Sequence, residues 1–188
     1  MRSKITIFAV GLSLAISVLT IISWQVDFPI LRTFLPGFPG MIPMTAFVLS
    51  IIALTLLLSL MSSRYEPSPT EDPTGKPRTK KAAIILATFI NFCALGTLVS
   101  YLFSYEASFN LNFIFTDPAH PQNMRSGGNM SVQTAMSAFF LATSILIHLF
   151  LTIAESRVSP KVTRVLVIIM QSLPLLTLGI CCLAAIGY

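Results

Sequence analysis

Five long apolar runs, joined by shorter polar connections, set the pattern of this chain: 5–24, 42–62, 82–104, 132–153 and 163–187. Each is near or above the roughly 20 residues with which a helix crosses a hydrocarbon core about 30 Å thick. The pattern predicts an all-α fold, a polytopic membrane helical bundle of five transmembrane helices built from repeated helical hairpins. The first run follows Arg2 and Lys4, as a signal peptide would. It is longer than a signal core of about 7–15 residues and has no A-x-A site after it, so it reads as a retained span.

Two of the runs open with the same words. Met41, Thr45 and Ala46 start the second, and Met130, Thr134 and Ala135 start the fourth, 89 positions later. A second pair of phrases precedes them: "TIISW" (20–24) closes the first run and "TLVSY" (97–101) falls late in the third, while the fifth ends "AAIGY" at Tyr188. Each sets a small residue and then an aromatic near one membrane face, where Trp and Tyr favour the headgroup region. The order aromatic, loop, Met-x-x-x-Thr-Ala, returning span describes a helical hairpin. The whole chain, 1–188, then reads as one integral-membrane domain: a first hairpin over 1–62, a linker over 63–81, a second hairpin over 82–153, and the first helix of a third over 163–188. Both hairpins enter from the same side, which makes the repeat parallel rather than inverted.

The motif has a local rationale. Pro43 suits the first turn of a helix, where its missing N–H costs little, and Asn129 or Ser131 suits a cap. Thr45-Ala46 and Thr134-Ala135 put small side chains at the helix starts, where neighbouring backbones come close and Thr hydrogen-bonds across. Helix start and packing surface is the reading preferred over direct ligand contact.

Composition supports the membrane class. Apolar residues make up 54% and charged residues 10%, against about a quarter charged in soluble domains. The net charge of +5 does not indicate a nucleic-acid partner, because the basic residues sit at the ends of apolar runs rather than on one soluble face. Ten of the twelve Lys and Arg fall on one side: Arg2, Lys4, the five in the 63–81 linker and its edges, and Arg157, Lys161 and Arg164. Only Arg32 and Arg125 fall on the other. The positive-inside rule places the ten in the cytoplasm, with the N-terminus inside and Tyr188 outside. The 63–81 linker, rich in Pro, Ser, Thr and charge, reads as flexible. Cys93, Cys181 and Cys182 lack zinc-ligand spacing and read as small apolar residues.

Together these residues resemble the multi-pass N-terminal sensory regions, MASE-type in the broad sense, of bacterial sensor histidine kinases and diguanylate cyclases. Met41, Thr45, Ala46, Met130, Thr134 and Ala135 carry the likeness, with Tyr101 and Tyr188, and it runs over nearly the whole chain. The resemblance implies a module of the bacterial inner membrane that senses an extracytoplasmic or membrane cue. It implies as partners the lipid bilayer, a cytoplasmic output domain in cis or in trans (PAS, histidine kinase or GGDEF) and a second copy in a homodimer. It also leads one to expect a third motif and a sixth, returning helix after Tyr188, an excerpt of a longer receptor being preferred over a short stand-alone relative.

Candidate chemistry is sparse. No phosphate loop, H-E-x-x-H, G-x-S-x-G or kinase signature occurs, so the residues predict no enzyme, no metal site and no cofactor. Asn91, His148 and Gln171 are three polar residues that lie well inside spans. Asn91 and Gln171 both lie roughly 14 Å from the basic ends of their spans, a common depth that permits an interhelical hydrogen bond. Pro174 releases the carbonyl of Met170 from its helix and predicts a kink. His148 is a candidate for packing polarity first, a relay second, and weakly a haem ligand. In the loop after the third span, Phe109, Leu111, Phe113 and Phe115 alternate as either a short strand against the membrane or a two-faced interfacial loop would. A lipid-facing cap is the preferred reading of this loop, with Phe113, Phe115, Asp117, His120 and Arg125 as candidate ligand contacts. A sensory module is the leading expectation, with a small transporter or channel-like protein, or a membrane subunit of a larger complex, as the alternatives.

Overall fold

A computed structural model describes residues 2–26, 41–64, 76–103, 130–154 and 158–186. These residues form an all-helical membrane bundle, and among them are five helices, each long and apolar enough to span a bilayer. We number them α1 (Arg2–Gln25), α2 (Pro43–Arg64), α3 (Lys76–Leu102), α4 (Val132–Ala154) and α5 (Pro160–Ile186). Among the described residues there is no strand. The alternation at 109–115 lies outside them.

The helix starts follow from local chemistry. α2 begins on Pro43, and Ala46 N–H donates to the Ile42 carbonyl at 3.1 Å. α4 begins on Val132, 89 positions later, and Ala135 N–H donates to the Ser131 carbonyl at 2.9 Å. Ser131 also caps: its Oγ accepts the Thr134 N–H at 3.2 Å, satisfying one of the first-turn donors that no helix can satisfy itself. α5 begins on Pro160, where a missing N–H is harmless.

Three helix starts run ahead of the hydropathy reading, the first being α1, which starts at Arg2 rather than 5. α3 starts at Lys76 rather than 82, so the end of the expected linker, "KPRTKK", is helical. α5 starts at Pro160 rather than 163. Hydropathy ends a span at the first charge, whereas Lys and Arg are good helix formers and the backbone continues through them.

The helices pack in chain order, α1 on α2, α2 on α3, α3 on α4 and α4 on α5, with α2 also touching α4. The core lies among α2, α3 and α4, where Met44, Val48 and Ile52 meet Ala83, Ala87 and Ile90 and, from α4, Ala135, Ala138 and Ala142. The repeated alanines let the backbones approach closely, which is how helices associate in lipid, where no hydrophobic drive separates one apolar surface from another. Large apolar side chains cover the outside, among them Phe8, Ile85, Phe92 and Leu183. That surface is expected to face acyl chains.

Buried hydroxyls in the bundle bond their own helices. Ser17 donates to the Ser13 carbonyl, Thr20 to Ile16, Thr55 to Ile51, Thr97 to Cys93 and Thr177 to Leu173. Such back-bonding neutralises a polar group inside an apolar medium without a tertiary partner. Ser144 behaves differently.

Candidate functional site

Ser144, 8% exposed on α4, donates its hydroxyl to the Met170 carbonyl of α5 at 2.9 Å. Met170 lies four residues before Pro174, whose missing N–H leaves that carbonyl without its helical donor. A neighbouring helix thus satisfies the backbone group that the proline releases, the arrangement that makes proline tolerable inside a membrane helix. The adjacent residue reaches the other way: Thr143 donates to Asn91 Oδ1 on α3 at 3.2 Å. Successive helical side chains diverge by about 100°, so one dipeptide of α4 ties to both flanking helices at one level.

This corrects the pairing expected for Asn91 and Gln171. The common depth stands, but α4 lies between their helices, and α3 does not contact α5. Asn91 therefore pairs with Thr143, while Gln171 is exposed on α5 with no hydrogen bond among the described residues.

Toward the end of the bundle where α2 and α4 start, α2, α4 and α5 leave a groove of about 330 Å³. Its α2 wall is Thr45, Val48, Leu49 and Ile52. Its α4 wall includes Thr134, Ser137, Ala138 and Leu141, the same four places shifted by 89. Spacing of i, i+3, i+4 and i+7 keeps each set on one helix face. Ser131 and Gln133 extend the rim, and Thr177, Ile180 and Cys181 of α5 close the third side. Among the described residues the rim is polar and uncharged, and the deeper surface is mainly aliphatic. Thr45 and Gln133 make no hydrogen bond among the described residues. Ser131 Oγ and Thr134 Oγ1 lie 2.9 Å apart, so one hydroxyl donates to the other and one proton of the pair is left over.

The motif residues divide between two roles. Ala46, Ala135 and Met130 are fully buried in the bundle, and Met41 is half-buried. The Met41 carbonyl accepts the Trp24 indole N–H at 2.9 Å, which ties the end of α1 to the start of α2. Thr45 and Thr134 line the groove. His148 is exposed on α4, one turn past Ser144, with no hydrogen bond among the described residues. Phe113, Phe115, Asp117, His120 and Arg125 lie outside the described residues, as does Tyr188. Among the described residues no three His, Cys, Asp or Glu come together as a metal site would require.

Ser144 and the deeper groove residues carried no advance signal in the sequence. Ser144 sits in an apolar run like any back-bonded serine, and its value comes from where Pro174 is placed on another helix. Protein-family models, curated proteins and solved structures were compared with the chain, and none matches.

Proposed function

We propose that this chain is a sensory module of the bacterial inner membrane, with its N-terminus cytoplasmic and its motif end outward, that passes helix movement to a cytoplasmic kinase or cyclase output. The observation that carries the reading is the Ser144–Met170 bond at Pro174. A proline-interrupted helix held at its break by a tertiary hydrogen bond has two arrangements, bridged and released, and small helix shifts of this kind are a known means of switching. The groove borders the outward half of α5 through Thr177, Ile180 and Cys181, beyond Pro174. A cue acting there displaces the outward half of α5 about the proline, and the inward half, with Lys161 and Arg164, delivers the movement.

The decisive measurement pairs spin labels at Lys81 on α3 and Lys161 on α5, both exposed, in protein held in lipid nanodiscs. Ser144→Ala shifts their distance distribution. An unchanged distribution overturns the hinge. Output is tested by the reading frame after Tyr188: a returning span followed by PAS, histidine-kinase or GGDEF sequence supports the reading, and a frame or neighbouring gene encoding a substrate-transport partner counts against it. A reporter joined at Tyr188 is expected outside, and its recovery in the cytoplasm overturns the orientation.

A further inference from the structure

We propose that the groove between α2, α4 and α5 binds one uncharged amphiphile, a molecule of about ten carbons with a hydroxyl or carbonyl head. The chemistry of the walls selects that class. A volume of about 330 Å³ falls within the roughly 300–1,000 Å³ of small-molecule sites, and it is roughly twice the 150 Å³ cavity that takes up a benzene ring. Among the described residues no Lys, Arg, Asp or Glu lines it, so none of these walls offsets the cost of bringing a charged head out of water.

Unspent hydrogen-bonding capacity lies at the rim. Thr45 and Gln133 have no hydrogen bond among the described residues, and the Ser131–Thr134 pair keeps one free hydroxyl proton. These groups sit within the first turn of α2 or α4, where a head group reaches the interface while its tail stays in the hydrocarbon. Below them Leu49, Ile52, Leu141 and Ile180 offer only aliphatic surface. The Thr177 hydroxyl is engaged by the Leu173 carbonyl at 3.1 Å and presents no demand of its own. A ligand with a polar end and an apolar body satisfies both parts of the groove, and a pure hydrocarbon satisfies one.

The space has an identifiable origin. Where α2 carries Val48 and Leu49, α4 carries Ser137 and Ala138 at the positions 89 later. The smaller pair on α4 faces the same groove as Val48 and Leu49 and leaves it wider than residues of their size would. As the ligand class of the sensory site, this proposal rests on the sensory reading for its consequence but not for its binding.

The probe is 1-decanol carrying a diazirine in its chain, applied to the full chain in nanodiscs, with labelled peptides mapped by mass spectrometry. Saturable labelling on α4 and α5 around Leu141 and Ile180 is expected, displaced by excess 1-decanol and not by decanoate. Thr45→Val and Thr134→Val each weaken displacement by about threefold to tenfold, while displacement by decane stays as in the unaltered protein. The double variant Ser137→Val with Ala138→Leu, which writes the α2 residues onto α4, abolishes the labelling. Labelling that is not saturable, that decanoate displaces as well as decanol, or that a phospholipid acyl chain occupies undisplaced, overturns the site. The spin-label pair separates the two readings. Decanol that binds without moving α5 leaves the site and removes the sensory role, and a hinge that moves in Ser144→Ala without decanol binding does the reverse.

Discussion

The α2–α3 and α4–α5 interfaces occupy corresponding places in the chain and are built differently. By the spacing of 89 between Met41 and Met130 and of 87 between Tyr101 and Tyr188, Thr55 corresponds to Ser144, Ala83 to Met170 and Ala87 to Pro174. At the first interface Ala83 and Ala87 are fully buried, and Thr55 bonds its own Ile51 carbonyl at 2.7 Å. At the second, proline stands at the place of Ala87, a carbonyl is released, and Ser144 crosses to hold it at 2.9 Å. The first interface is also covered by α4, which completes the core, while the second opens into the groove. Similar apolar text therefore yields a rigid contact in one place and a contact with a hinge and a cavity in the other. The differences are few: a proline, and two side chains of smaller volume.

The largest expected effect sets the filled side against the open one. Ile52→Ala, on the core stripe of α2, is expected to cost about 2–4 kcal/mol, because close-packed neighbours cannot collapse onto the void. Leu141→Ala, at the corresponding place on α4, is expected to cost less than about half of that: both side chains border the groove, but Ile52 is otherwise buried in the core while Leu141 is only half-buried. Unfolding in bicelles by steric trapping measures both, and equal losses break the comparison.

Next in size is the hinge. Ser144→Ala is expected to cost about 1–2 kcal/mol, the loss of a hydrogen bond to a carbonyl that has no other donor. In a Pro174→Ala background the residue 174 N–H is restored and takes over the Met170 carbonyl, so the Ser144→Ala cost shrinks. A double-mutant cycle reads this coupling directly, and additive losses refute the idea that Ser144 answers to Pro174.

A smaller coupling, about 0.6 kcal/mol, is expected between Asn91 and Thr143, in line with hydrogen bonds between membrane helices. The cycle between Asn91 and Gln171 is expected to give none, since α4 separates their helices. The smallest effect is at the groove rim: Thr45→Val changes stability by less than about 0.5 kcal/mol. Its consequence belongs to ligand binding, and a large stability loss there assigns Thr45 to packing instead.

The spans were legible because membrane insertion depends on one segment at a time. A run such as 132–153 is apolar enough to span whatever its neighbours are. Helix starts were legible for the same reason: Pro43 and Ser131 act on the turn that follows them, and α2 and α4 begin beside them. The release of the Met170 carbonyl was legible too, since it needs only a proline four residues on. The basic start of α3 was not, because hydropathy registers the charges of Lys76 to Lys81 and overlooks their helix propensity.

The sequence by itself thus determined which segments cross the bilayer, where the returning helices start, and that α5 carries an unsatisfied carbonyl. The tertiary structure alone decided what satisfies it. In lipid every apolar face resembles every other, so hydropathy cannot say which helix lies beside which, and that order is what hands Asn91 to Thr143 rather than to Gln171. It is also what sets Ser144 against Met170 and brings Thr45 and Thr134, 89 positions apart, onto the walls of one groove. Each of these is a relation between two helices, fixed by the volumes of side chains that meet only when the bundle closes.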